Sequence, residues 1–389
     1  MLLLLVGCPT SPAPTPEFGI CTKINPIVLT GFDALPAVQS AQIKTGPYIG
    51  GYTVEKNDSR LSWYFASIAL IGFVDRIPDD VKNYMNLYLR STSADFSIKD
   101  IFFDVGADGV NFNSPQYEAN GVGQFSDSDD SYAATILSLA ARYYEVTCDK
   151  SWFYSMVPGK EYTVLDALKN IATNNLIKSQ WPNGLIHVFQ NAPVYYIAYT
   201  EDNAEAYRGL VDFAVLLRSF GEGSATTYQS AADKVAAAMQ NILFVNNLAS
   251  GAITLNKLGY AYVWGNNISF SAPAEPLNNP VKFYPDAVTQ IFPEAYCMNM
   301  PQYQHDAGWN FLDSMFPLYT TNAYENDPWV LIGLAAANAG KNDLAQKMQA
   351  KAENSFASGI PVPINNWSFH RRIALKLQTG KTGCNVYGR

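Results

Sequence analysis

Charge is scarce in this chain. Asp, Glu, Lys and Arg make up 15% of its 389 residues, and the balance is negative by 8. No basic run interrupts it, so phosphate backbones meet no long-range attraction and nucleic acid is not an expected partner. Histidine is rarer still. His187, His305 and His370 are dispersed without ligand spacing, and no C-x-x-C occurs among the five cysteines, so neither a catalytic metal nor a zinc site is expected. A Gly-rich phosphate loop and β-α alternation are missing as well, which disfavours a doubly wound nucleotide-binding fold and leaves no cofactor to expect. Ser269 and Ser271 lack a nucleophile-elbow setting, which argues against an esterase. No segment reaches the roughly 18 uninterrupted apolar residues of a membrane span.

What is present is apolar and aromatic: 48% hydrophobic residues and 13% Phe, Trp and Tyr suit a packed globule. The N-terminus reads Met1-Leu2-Leu3-Leu4-Leu5-Val6-Gly7-Cys8, followed by a Pro-rich stretch. Leu5-Val6-Gly7-Cys8 resembles the end of a bacterial lipoprotein signal. That resemblance implies a lipid anchor on Cys8, a tether over 9–25 and a single domain over 26–389. It also implies a periplasmic or extracellular place in the cell envelope, touching membrane only through the anchor. Cys21, Cys148, Cys297 and Cys384 remain. Buried free thiols are the plain expectation for them, while export would permit two bridges in any of three connectivities.

The apolar spacing is helical over most of the chain. Arg60–Val74 and Pro78–Leu89 make one hairpin, Asp129–Val146 and Val164–Ile177 a second, and Asp202–Phe220 and Ala225–Leu243 a third. Asp327–Ala339 and Asn342–Phe356 make another. Weaker helical signals cover Gly31–Ile43, Pro285–Phe292, Gln304–Phe316 and Pro361–Leu377. Eleven or twelve helices suit six hairpins. β-Hairpin insertions are expected at Ile98–Phe112, at Leu185–Tyr199 around Asn191, and at Ala252–Phe270 around Gly259 and Gly265.

Alternate helices open on acidic clusters. Glu55-Lys56-Asn57-Asp58, Asp127-Ser128-Asp129-Asp130 and Glu201-Asp202-Asn203 stand roughly 70 residues apart, and Pro285-Asp286 and Glu325-Asn326-Asp327 follow with looser spacing. A ring of hairpins would bring these starts to one rim. Capping accounts for a single acid at a helix start, but Asp127, Asp129 and Asp130 are three carboxylates within four residues. Glycoside hydrolysis needs a protonated acid and a second carboxylate, and crowded like charges keep one member protonated. Aromatic residues flank the clusters. Trp63, Tyr132, Trp181, Tyr199, Tyr207, Trp264, Trp309 and Trp329 are candidates to stack on pyranose faces, and His305-Asp306 is a candidate acid–base pair.

Asp127-Ser128-Asp129-Asp130-Ser131-Tyr132-Ala133-Ala134, with the aliphatic run that follows, is similar to the Asp-rich helix start of family-eight glycoside hydrolases. The chain as a whole resembles the six-hairpin glycosidases, which include unsaturated glucuronyl hydrolases. The resemblance implies a mainly α-helical (α/α)6 toroid and a monomeric enzyme acting on a carbohydrate polymer or oligosaccharide. It also places a cleavage-site carboxylate at Asp127, Asp129 or Asp130, and the acid clusters at alternate helix starts offer Glu201 or Asp202 as its partner. Glu55, Asp58 and Asp327 would then line the substrate cleft. The family's Ser-Glu-Gly motif for the general acid has no counterpart around Glu55–Trp63. A glycan-binding or polysaccharide-assembly lipoprotein without catalysis is therefore a second reading, and a polysaccharide lyase, using Tyr195, Tyr196 or Tyr199, a third.

Overall fold

A computed structural model describes residues 21, 23–120, 123–191, 197–250, 253–258, 261–263 and 282–380. Cys8, most of the tether and Trp264 lie outside the described residues. The helices are α1 (Leu35–Ser40), α2 (Trp63–Ile71), α3 (Pro78–Ser91), α4 (Asp129–Thr147), α5 (Lys150–Phe153), α6 (Val164–Ala172), α7 (Thr200–Phe220), α8 (Ala225–Ala238), α9 (Phe292–Ala295), α10 (Gln302–Met315), α11 (Val330–Asn338), α12 (Asn342–Ala357) and α13 (Ile364–Thr379). Wide π-type turns extend α6 through Ile177 and α8 through Leu243, and a further one spans Phe283–Ala287 ahead of α9.

Packing sorts these helices into two shells. α2, α4, α7, α9, α11 and α13 contact one another in that order, and α13 returns to α2, closing an inner ring. α3 and α6 pack outside α4, α8 outside α7, α12 outside α11, and α1 outside α13. Five hairpins are continuous in the chain. The sixth pairs the last helix with the first. Composition explains the sorting, because α2 and α11 are apolar all round, as suits helices enclosed on every side.

The closure is fastened by a buried ion pair. Arg371 on α13 donates to Asp75 Oδ2 at 2.7 Å and to the Gly72 carbonyl at 2.7 Å, while the Ile27 amide donates to the same Asp75 oxygen. Both side chains are almost wholly buried. Where helices touch backbone to backbone the residue is glycine: a Cβ on Gly209 of α7 would lie 2.6 Å from Ala134 of α4. A disulfide joins Cys21 to Cys148 at the end of α4, and Cys297 is disulfide-bonded too, so the expectation of free thiols fails for these three.

The insertions differ in detail from expectation. β2 (Ile101–Gly106) and β3 (Gly109–Gln116) form the first hairpin, and β1 (Arg60–Leu61) adds a third strand, which is why α2 starts at Trp63 and not at Arg60. β5 (Phe244–Ser250) pairs antiparallel with β6 (Ile253–Leu258), while Gly259 and Gly265, the expected turns of the Ala252–Phe270 insertion, lie outside the described residues. β4 (Ile197–Tyr199) pairs with the distant β7 (Ala261–Val263); in the segment expected as a hairpin around Asn191 the Val188 amide donates to the Ile197 carbonyl at 3.0 Å, and 192–196 lie outside the described residues. Among the described residues no helix is long and apolar enough to cross a membrane.

Candidate active site at the heads of the inner helices

The first turns of the inner helices gather the acidic clusters. At the head of α4 the cap is Ser128, whose hydroxyl accepts the Ser131 amide at 3.0 Å. Asp129 is thereby freed from that duty. Asp130 is fully buried; its Oδ1 accepts from Ser128 at 2.6 Å and from the Ser131 amide at 2.9 Å, while Oδ2 has no partner among the described residues. Burial, with the nearby Asp202 charge, raises its proton affinity well above the ordinary range. Asp129 accepts the Gln190 amide at 3.0 Å and the Ser126 hydroxyl at 3.2 Å, and burial pushes it up to about 6. The loop carrying Gln190 is held in place by Asn203 of α7, which exchanges hydrogen bonds with the Ile186 backbone.

Asp127 behaves differently. Its side chain is 61% exposed and ion-paired with Arg60, which also binds Asp100 at 2.6 Å. Tyr132 donates to both oxygens of Asp100 at 2.9 Å. Arg60 thus places Asp127 at the mouth of the ring.

The head of α7 supplies the rest. Glu201 accepts from Thr289 at 2.9 Å and from Tyr284 at 3.4 Å, and burial raises it well above its usual range. Asp202 keeps more solvent contact than Asp130, Glu201 or Glu205. Burial pushes it up to about 7, with the charge of Asp127 adding to the effect and the Ser131 hydroxyl opposing it. Glu205, one helical turn below, accepts from Tyr64 at 2.5 Å and Tyr296 at 2.9 Å and is pushed up to about 8 by burial and the Asp202 charge. Neutral hydroxyls, not cations, hold these acids. That arrangement favours the protonated carboxyl.

Aromatic groups complete the rim, though fewer than the sequence suggests. Trp329 stacks on Tyr284 with centroids 4.8 Å apart, and Tyr284 reaches Glu201. Asp327 accepts from the Trp329 amide at 2.7 Å and from Asn366, beside the same stack. The other candidates are built into the fold. Trp63 is fully buried with Nε1 donating to the Lys99 carbonyl, Tyr132 lies beneath Asp100, and Trp309 is covered by Lys341. Tyr207 is buried and accepts the Asn299 amide, and Trp181 stacks on His187. His305 and Asp306 sit on the outer helix α10, where His305 pairs with Glu294 at 3.0 Å and Asp306 accepts from Gln302. Glu55 shares a shallow cavity of about 210 Å³ with Phe356, Pro361 and Trp367, and Asp58 bonds the Arg60 amide; neither joins the hydrogen bonds of the acid cluster.

Glu205, Tyr64, Tyr284, Tyr296 and Arg60 are members of the site that the sequence reading passed over. Glu205 had a signal. It falls three residues after Asp202 and four after Glu201, on one helix face.

Six inner helices ringed by outer partners, with acids at the inner heads, define the (α/α)6 toroid. No family model and no curated protein matches the sequence. Solved structures do. A beta-1,3-1,4-glucanase from Paenibacillus sp. X4 aligns over 88% of this chain and 89% of its own, with a TM-score of 0.53 at 12% identity. The unsaturated glucuronyl hydrolase from Bacillus sp. GL1, responsible for glycosaminoglycan degradation, aligns over 90% of this chain and 94% of its own, with a TM-score of 0.52 at 11% identity. The mainly α-helical toroid expected from the sequence is the fold observed.

Proposed function

We propose that this protein is a glycoside hydrolase acting on an oligo- or polysaccharide, with Asp202 as general acid and Asp127 as the carboxylate that activates water or attacks the sugar. One contrast carries the reading: Asp202, partly open and raised to about 7, lies close enough to feel the charge of Asp127, which is exposed and ion-paired with Arg60. Two acids with environments driven apart in this way divide the roles of proton donor and charged partner. Asp202 protonates the leaving oxygen. Asp127 acts at the anomeric carbon or on the water that reaches it. Burial and the Asp127 charge hold Asp202's affinity high, the protonated Asp130, Glu201 and Glu205 place no further charge beneath it, and the Tyr284–Trp329 stack offers a platform for a pyranose face. The six-hairpin solved structures, named for carbohydrate-acting enzymes, agree with this reading.

The test is release of reducing sugar across a panel of polysaccharides by wild type, Asp202→Asn and Asp127→Asn. Each variant should lose about 10²–10³-fold in kcat, as removal of a general acid or base does, with binding by calorimetry retained. Full turnover in either variant would overturn the assignment. Tight oligosaccharide binding by the wild type with no cleavage of any polymer would support the glycan-binding alternative. Unsaturated products absorbing in the ultraviolet would indicate a lyase.

The Cys21–Cys148 bridge supports an oxidising compartment, and with Leu5-Val6-Gly7-Cys8 we place the protein in the bacterial cell envelope, lipid-anchored at Cys8. Radiolabelled palmitate that fails to enter the protein in cells would exclude the anchor.

A further inference from the structure

Inside the ring, below the acid layer, the charges change sign. Arg142 of α4 binds Glu145 and Asp212, and Arg208 of α7 binds the same Asp212. Arg372 of α13 faces this group and is 7% exposed. Its guanidinium carries five N–H donors in a fixed plane, yet it makes no hydrogen bond to any described residue, and its Nε is fully enclosed. Burial, opposed by Tyr296 and Asp212 and aided by the nearby Arg142 and Arg208, lowers its proton affinity to about 10. Tyr296, the closest hydroxyl in that balance, already donates its proton to Glu205. Asp212 is committed to two other arginines. Among the described residues the group therefore holds three guanidiniums against two carboxylates, with the buried Lys376 of α13 a further amine close enough to feel Arg372 and Arg142.

We propose that Arg372 holds a small inorganic anion, chloride under ordinary solution conditions, within the helical ring. Arginine does not escape burial by losing its proton. A buried guanidinium without a hydrogen-bond acceptor is among the most costly arrangements in a protein interior. A water molecule would answer the hydrogen-bond deficit alone, whereas an anion answers that and the surplus charge. Position limits the ion's size and nature. An acidic sugar entering at the helix heads would have to pass Asp202 and then Glu205 with its two tyrosines, whereas a monatomic ion needs only the room beside Arg372. The Phe369 ring centroid lies 6.0 Å from the Arg372 guanidinium carbon, so one neighbour of the guanidinium is apolar. This inference is independent of the hydrolase reading, since it concerns charge and acceptors below the acid layer.

The experiment uses the whole protein in sodium methanesulfonate, a larger anion than a halide, with chloride or bromide exchanged in at constant ionic strength. The melting temperature should rise with halide and saturate, by roughly 3 °C or more once halide is well above its dissociation constant. Arg372→Met should abolish that dependence. Crystals grown in bromide should give an anomalous peak within hydrogen-bonding distance of the Arg372 guanidinium. A flat melting temperature across the halide series, or bromide crystals with water and no anomalous signal at Arg372, would overturn the proposal. If Arg372→Met does not fold, the bromide map of the unaltered protein decides alone.

Discussion

The two ends of the inner ring handle buried charge in opposite ways. At the heads of α4 and α7, carboxyls are surrounded by hydroxyls and amides, and burial drives Asp129 to about 6, Asp202 to about 7 and Glu205 to about 8. Helix N-termini favour ionised acids, so desolvation has overcome the dipole here. Toward the tails, Arg142, Arg208, Glu145 and Asp212 are paired with one another, and Asp212 is held down at about 2 by its arginines despite its burial. Paired charges build structure and titrate far from neutrality. Carboxyls held by neutral donors keep a proton that can be exchanged near neutral pH, which is what an acid catalyst requires.

The sharpest way to break this contrast is at the tail. Arg142→Met should destabilise the protein by about 3–5 kcal/mol, because it strands the buried Glu145 and leaves Asp212 with Arg208 alone; a destabilisation, read from the urea midpoint, of less than a quarter of that would mean the tail is not held by its charges. At the head, Asp130→Asn exchanges a protonated carboxyl for a neutral amide and should leave the midpoint nearly unchanged at pH 5. Next in size is the loss of turnover in Asp202→Asn, and wild-type turnover should fall as pH rises through about 7, where Asp202 gives up its proton. A pH–rate profile that stays flat to pH 9 would remove Asp202 from the acid role.

Stability should follow the same protons. Asp129, Asp202 and Glu205 have folded affinities above their unfolded values, so the native state binds more protons between about pH 4 and 8. Their contribution is complete below about pH 4 and is lost as pH rises through about 6, 7 and 8 in turn, by up to about 1.4 kcal/mol per pH unit for each group. Glu205→Gln should flatten the slope by about one such increment between pH 5 and 8. Lys376, lowered to about 7 by burial and by Arg372 and Arg142, acts in the other direction, so its contribution grows from about pH 7 to 10. Chemical denaturation at intervals from pH 4 to 10 would resolve both limbs. The smallest effect concerns the rim: Trp329→Ala should raise KM by about tenfold through lost stacking, with kcat little changed.

The hairpins were legible because helical periodicity survives in each outer helix, and the long α4 and α7 appear in the sequence within two residues of their observed bounds. The rim acids were legible for a related reason: Asp127 to Asp130 crowd more carboxylates than Ser128's cap needs. The aromatic candidates were misjudged because an inner helix buries every face, so spacing cannot tell a stacking platform from core, and Trp63 went to the core. Tyr284 and Tyr296 were missed since they belong to the short turns around α9, where no period builds up. The β4–β7 pairing joins segments about sixty residues apart, and local turn signals carry nothing about such a partner.

Gly209 has a consequence beyond packing. It lies one turn below Glu205 and lets α7 rest directly on the backbone of α4 at Ala134, one turn below Asp130. The gap between everything borne on the two helix heads is therefore gauged by a single hydrogen atom. In carboxylate-driven glycosidases a few ångströms of that gap separate inversion from retention at the sugar carbon. A methyl group at position 209 would act as a shim under the hinge of a jaw, and, under the proposed hydrolase function, the anomeric configuration of the released sugar would report how far the jaw had opened.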